Sequence, residues 1–416
     1  MKLVRRRTGC RACGKRKLRV ILDLGKTPPA NAFLKSNSQK LISKERWFSL
    51  KVNLCQDCGM IQLAHVVDPK LLFGDYVYVS STSPVFMRHF EDLTRDVTKR
   101  LKLKPKSLVV DIGSNDGILL KPFLRKGFRV LGIEPAGKIA KLANKQGITT
   151  ITKFFSADLA RNLVKKYGQA DLVTATNVFA HIDNLDEVMR GVKLLLKPDG
   201  VFLVEVAYLR DLVKKNLFDL VYHEHVCYWA VGSMKVLAER LGMKIFRVER
   251  VPTHGGSIRV LMKLKTGKWQ IEANVASLIY QEKILGLTKI AIYKGLARRI
   301  KQNKQKLKKL LLKLKHQGKV IVGFGAPAKG NTLLNYFKIN KTILDYIVDD
   351  SPYKQGLYTP GTHIPLLAPE KIYQNKPDYV LILAWNFAES IMKTHWRYYK
   401  NGGKFILPVP LPRIIT

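Results

Sequence analysis

The apolar and polar positions of this chain change period several times along its length. Between residues 107 and 265, short apolar runs alternate with stretches where apolar residues recur every three to four positions. The runs at 107–112, 129–133, 171–176 and 200–206 predict strands. The periodic stretches 117–126, 136–146, 184–196 and 232–241 predict amphipathic helices. Runs at 244–250 and 257–264, joined through Thr253-His-Gly-Gly256, predict a terminal hairpin. The result is a doubly wound α/β sheet with an antiparallel edge.

Other stretches flank this unit. Residues 71 to 105 predict a loop and a lead-in helix from Pro84 to Leu101. Residues 272–317 predict long helices, with Ile300, Leu307, Leu311 and Leu314 near one face and lysines on the other, packing across two domains. Gly318 stops them. The pattern then restarts with a strand at 320–324, a glycine-rich turn opening a helix, strands at 344–348 and 379–383, and a helix from Phe387. That is a second, smaller, Rossmann-like fold. Expected domains are therefore 1–70, 71–265, a helical linker at 266–318, and 319–416.

The first strand of the central unit runs into Asp111-Ile-Gly-Ser-Asn-Asp-Gly117, and the second ends at Glu134. Gly113 and Gly117 let the backbone bend and approach a ligand closely. Glu134 can accept hydrogen bonds from both ribose hydroxyls. The turn reads D-x-G-x-x-x-G, not the G-x-G-x-x-G that cradles a pyrophosphate. An acid-flanked loop repels a diphosphate but suits a cationic centre. The pattern resembles class I methyltransferases, which implies S-adenosylmethionine as cofactor. Asp111, Gly113, Asn115, Asp116, Gly117, Glu134 and Asn177 are the expected cofactor-binding residues.

Four of the five cysteines form two C-x-x-C knuckles, Cys10/Cys13 and Cys55/Cys58, each with a glycine directly behind it. Four thiolates suit tetrahedral Zn2+, and with no ligand position left open the metal is structural. In a reducing compartment paired knuckles favour metal over disulfides. The intervening stretch is longer than in a compact ribbon and should form its own strands and loop. Cys227 stands alone and reads as a small buried hydrophobe.

Two further segments carry chemistry. Tyr222-His-Glu-His225 lies beyond the C-terminal end of a strand, where such sheets bind ligands. Its spacing is not that of H-E-x-x-H, so a base beside a carboxylate is the better reading. His181 and Asn177 follow the third strand, and Tyr76 lies in a loop that could cover the same pocket. In the C-terminal unit, Lys329, Asn331 and Thr332 sit where a helix N-terminus and a cation could hold a phosphate. Asp350 and Lys354 follow the next strand, the usual place for a ribose or base contact.

Composition adds bounds. The 416 residues are 46% apolar, enough for real cores, and the net charge is +42. Lysine and arginine are spread along the chain, with the strongest bias between Glu282 and Asp345, where 16 occur with no acid. No recognised nucleic-acid module accompanies them, so nucleic acid is not the expected partner. No apolar run is long enough to span a bilayer, and the basic N-terminus lacks the apolar segment of a secretory signal. The expectation is a cytoplasmic protein, a monomer or weak oligomer, with no membrane partner.

Taken in order, two C-x-x-C knuckles, P-P-A-N-A-F, D-I-G-S-N-D-G, Y-H-E-H, G-F-G-A-P-A-K-G-N-T and D-D-S-P-Y-K-Q-G resemble the zinc-containing C-methyltransferases of deoxysugar pathways, which act on TDP-linked 4-ketosugars. The resemblance covers nearly the whole chain. It implies methylation at C3 through an enolate, with His225 as base and Glu224 as support or hydroxyl partner. It also implies that Tyr76, Tyr222, His181 and Asn177 position the sugar or steady the enolate, and that the C-terminal fold holds the nucleotide diphosphate. Two other readings are a zinc-bearing RNA methyltransferase and a non-catalytic nucleic-acid-binding protein. The first lacks an N-P-P-Y type motif. The second leaves the cofactor loop unexplained.

Overall fold

The computed structural model describes residues 3–73, 79–82 and 84–415. Its central sheet has seven strands in the spatial order Met243–Val251, Ser257–Leu264, Leu196–Ala207, Ala170–Thr176, Leu108–Ile112, Arg129–Ile133 and Thr150–Ile151. The last five run parallel, and the first two form the antiparallel edge. Strand order reverses beside Leu108–Ile112, so a crevice opens at its C-terminal end. All five of its residues are buried, as a strand covered by helices on both faces requires.

The helix at Ala157–Tyr167 was not among the predicted elements, although its start carries a clear signal. The Ser156 hydroxyl accepts the Leu159 amide at 3.1 Å, and Ala157, Leu159, Ala160 and Leu163 form its buried face.

The N-terminal unit is built on strands Leu18–Thr27, Phe48–Cys55 and Ile61–Leu63. A fourth strand of this sheet comes from far along the chain. Cys227–Tyr228 pairs antiparallel with Ile61–Leu63, and the Leu63 amide donates to the Val226 carbonyl at 3.0 Å. The segment 222–225 thus runs straight into the N-terminal sheet.

The third sheet has the order Leu366–Leu367, Ile347–Val348, Ile321–Phe324, Tyr379–Ile382, Lys404–Leu407 and Arg413–Ile415, parallel except for the last strand. Helix Ala328–Phe337 follows its central strand. The long helix Ile290–His316 buries Ile300, Leu307, Leu311 and Leu314 and ends at Gly318 (φ 72°). It ties the units together: Arg299 donates to the Val213 carbonyl, Asn303 to that of Pro408 and Lys304 to that of Tyr336. No described helix is long and apolar enough to cross a membrane.

Candidate functional site

The four paired cysteines converge, with every sulfur within 4.8 Å of the others. The Cys10–Cys58 and Cys13–Cys55 sulfurs are 3.5 and 3.6 Å apart, close to the edge of a tetrahedron with ~2.3 Å zinc–sulfur bonds. Amides of Ala12 and Cys13 point at the Cys10 sulfur, and those of Asp57 and Cys58 at the Cys55 sulfur. Gly14 and Gly59 take the positive φ (78° and 75°) that closes each knuckle. These donors fit Zn2+ and leave no ligand position open. Cys227 is buried apart from them, its thiol pushed up to about 12 by burial.

The knuckles also brace the crevice. Arg11, between Cys10 and Cys13, is buried and pairs with Asp183 at 2.7 Å. Arg240 donates to the Ala12 carbonyl at 2.7 Å.

Two adjoining cavities lie at the C-terminal edge of the central sheet and share Gly113, Asn115, Thr176, Asn177 and His181. The first, of about 410 Å3, is bordered by Glu134, Pro135, Phe154, Val178 and Asp183. Glu134 is pinned by two backbone donors, Asn115 N at 3.0 Å and Ala136 N at 2.8 Å, and burial raises its pKa. Gly113 (φ 71°) lines both cavities, and a Cβ there would come within 2.7 Å of Val178. Gly117 plays a different part from the one expected. It lines neither cavity, and a Cβ on it would meet Ile148 at 2.4 Å, so packing demands that glycine. Asp116 likewise lines neither cavity; its carboxylate is buried with no hydrogen-bond partner among the described residues. Asp111 accepts from the Thr174 hydroxyl at 2.6 Å, and burial lifts it to about 7.

The second cavity, of about 200 Å3, gathers groups from the N-terminal, central and C-terminal units. Asn31 comes from the P-P-A-N loop, Tyr222, Glu224 and His225 from the central unit, and Lys329, Lys354 and Asn386 from the C-terminal unit. His225 Nδ1 donates to the Leu220 carbonyl at 2.8 Å, which leaves Nε2 as the acceptor of the Tyr222 hydroxyl at 2.6 Å. Burial holds His225 neutral, its pKa well below 6.5. His181, 4.9 Å from it ring to ring, is lowered to about 4 by burial, and its Nε2 has no hydrogen-bond partner among the described residues. Glu224 accepts from Asn31 at 2.7 Å, and burial raises it to about 7.

His223, the other histidine of the motif, points elsewhere. It is buried against Phe48, donates to the Phe48 carbonyl at 3.3 Å and does not line the cavity. Tyr76 lies outside the described residues.

The C-terminal candidates separate. Lys329 and Lys354 reach the cavity. Lys329 donates to Asn386 at 2.7 Å and stands over the Trp385 ring; burial lowers it to about 8. Lys354 pairs with Asp349 at 3.2 Å. Asn331 and Thr332 do not reach it. The Asn331 amide is committed to the Ala30 carbonyl at 2.7 Å, and the Thr332 hydroxyl bonds back to Ala328 at 3.1 Å. Asp350 is exposed and lies off the cavity.

Over 407 residues the chain is 36% identical to the C-methyltransferase NovU of Streptomyces niveus, an alignment covering 98% of this chain and 96% of the relative. The chain belongs to that family of C-methyltransferases. Three family descriptions match in turn: "Putative zinc binding domain" over residues 10–73, "Methyltransferase domain" over 86–248 and "C-methyltransferase C-terminal domain" over 252–410. A ubiquinone biosynthesis O-methyltransferase of Pelagibacter ubique is 23% identical over 38% of this chain and 65% of its own length. Among solved structures, the PH0226 protein of Pyrococcus horikoshii is similar at 19% identity and TM-score 0.37, covering 45% of this chain and 95% of its own.

This C-methyltransferase takes its methyl group from S-adenosylmethionine and carries a zinc-binding N-terminal domain. The larger cavity fits the cofactor, because Glu134 presents a carboxylate at its rim while Gly113 and Asn115 bring backbone to its wall. Sequence reasoning missed Asn31, although it lies in the quoted P-P-A-N-A-F motif, and His254, read only as part of a hairpin connection. Both line the smaller cavity.

Proposed function

We propose that this C-methyltransferase acts on a carbon of a nucleotide-linked 4-ketosugar, TDP-linked and at C3, after forming an enolate. The observation that carries the reading is a neutral His225 whose accepting nitrogen is fixed by its own backbone bond, in a cavity that shares lining residues with the larger one beside it. A C–H beside a ketone is a weak acid, so removal of its proton needs a base and stabilisation of the oxygen that gains charge.

His225 and Tyr222 act as one base. The substrate proton passes to the Tyr222 oxygen as the phenol proton moves to His225 Nε2. His225 is the final acceptor, and its Nδ1–H on Leu220 keeps the ring oriented and steadies the imidazolium. Glu224, held by Asn31, faces the same space and serves a sugar hydroxyl. His181, Asn177 and Tyr76 position the sugar. S-adenosylmethionine supplies an electrophilic methyl group to the activated carbon. Glu134 and the turn from Asp111 to Gly117 hold that cofactor; within the turn, Gly113 and Asn115 line its cavity, while Gly117 keeps the loop in shape.

Lys329 and Lys354 bring positive charge to a cavity that must accept an anionic nucleotide, and the third sheet offers a nucleotide-type fold beside it. A small anionic substrate also accounts for a basic surface without nucleic acid as partner. In this reading the protein is cytoplasmic, built of units at 1–70, 71–265, 266–318 and 319–416.

The test is mass spectrometry of a panel of 4-ketosugar nucleotides incubated with the protein and S-adenosylmethionine. A single added methyl on a TDP-linked 4-ketosugar is expected. Methylation of none of the panel refutes the substrate class.

A further inference from the structure

One imidazole in the cavity is unused by this mechanism. His254 stands in the turn Thr253–Gly255 between the two antiparallel edge strands. Its backbone is left-handed, φ 55° and ψ 25°, a conformation disfavoured for any residue with a Cβ.

The surroundings enforce that conformation. A Cβ on Gly255 would lie 2.9 Å from the Trp385 ring, and one on Gly256 within 2.4 Å of the Asp211 carboxylate. The Thr253 carbonyl accepts from both the Gly256 amide and the Ser257 hydroxyl at 2.9 Å, and Lys215 caps the Gly255 carbonyl at 2.5 Å. A strained residue held this firmly points to a use for its side chain. The ring packs on Phe86 at 5.3 Å and lines the cavity of His225 and Lys329. Among the described residues its nitrogens have no hydrogen-bond partner, and the residue is half-buried.

We propose that His254 is a further catalytic residue: its ring N–H bonds the ketone oxygen on which enolate charge gathers, with the Lys329 ammonium nearby. This rests on the carbon-acid reading above. When the α-proton leaves for the Tyr222–His225 pair, the C–H electron pair becomes the enolate double bond and the carbonyl π pair moves to that oxygen. It returns when the carbon takes up the methyl group. Burial, followed by the Lys329 charge, lowers the His254 pKa to about 3, so the ring is a neutral donor. A neutral imidazole can hold an oxygen through both its charged and its carbonyl form.

Two substitutions test this. His254→Gly removes the ring and suits the left-handed backbone, so its Tm should equal or exceed that of the wild type. Its kcat, and its exchange of the substrate α-proton with solvent without cofactor, should both fall about 100-fold. TDP affinity by calorimetry should change less than about threefold, because the ring does not touch the phosphates. His254→Asn, which tolerates the same φ and keeps a donor, should recover about tenfold of the loss. A His254→Gly protein with near-normal turnover and exchange overturns the proposal. So does a loss of TDP affinity with exchange intact, which makes the ring a phosphate contact. Wild-type protein that neither exchanges nor C-methylates any ketosugar nucleotide refutes the carbon-acid reading itself, a result distinct from these.

Discussion

The Tyr222 hydroxyl donates to His225 Nε2 across 2.6 Å, while the other nitrogen of that ring gives its hydrogen to the Leu220 carbonyl. The backbone bond decides the tautomer, and the tautomer decides which nitrogen can receive a proton. The two side chains therefore form one unit. His225→Ala should lower kcat by about two to four orders of magnitude, with cofactor affinity unchanged. Tyr222→Phe should cost about 10- to 100-fold. The double variant should be little worse than His225→Ala, because groups acting as a unit are non-additive. Additive losses in steady-state kinetics would separate the pair into independent roles.

The segment 222–225, which carries the proposed base, hangs on the zinc-binding sheet through the pairing of Cys227–Tyr228 with Ile61–Leu63. Elemental analysis should give about one zinc per chain. Cys55→Ser should lose it, with a lower Tm and weaker hydrogen-exchange protection at the 226–228 amides. A metal-free protein with normal protection there would contradict the link between metal and site.

Glu134 accepts two backbone amides and still faces the larger cavity. Glu134→Ala should weaken S-adenosylmethionine binding at least about tenfold, the loss of one or two charge-assisted hydrogen bonds. Calorimetry showing unchanged affinity would move the cofactor site elsewhere.

Glu224 gives a pH signature of its own. Burial raises its carboxyl to about 7 in the folded chain, from an ordinary value of 4.5. Between those values the folded state holds more protons than the unfolded one, so this group's contribution is full below 4.5 and is lost as pH rises through 7. Glu224→Gln keeps an oxygen for Asn31 and removes the titration. The Tm of the wild type should therefore fall relative to Glu224→Gln from pH 4.5 to 7. A constant difference across that range would show that Glu224 is not held as a neutral acid.

Much of this was readable in the chain, and the omissions have physical causes. The knuckles and the D-x-G-x-x-x-G turn are local devices, because sulfur spacing and positive-φ glycines act within a few residues. The predicted strand at 344–348 is shorter, Ile347–Val348, since the Leu344 amide bonds back to the Asn340 carbonyl at 3.0 Å in a turn. Asn31 reaches Glu224 across 193 positions, and no local pattern encodes a contact of that range. The same holds for Asn331, whose helix-start position suggested a phosphate but whose amide serves Ala30. His254 carried one faint signal, a polar residue before two glycines in a connection that a plain hairpin would not need.

The central claim is that a carbon acid is ionised by the Tyr222–His225 pair. Its most direct measurement is proton NMR of a TDP-linked 4-ketosugar in deuterated buffer, with wild-type or His225→Ala protein and no S-adenosylmethionine. The account predicts loss of the α-proton signal with the wild type and its persistence with the variant. Exchange at the wild-type rate in His225→Ala would contradict it.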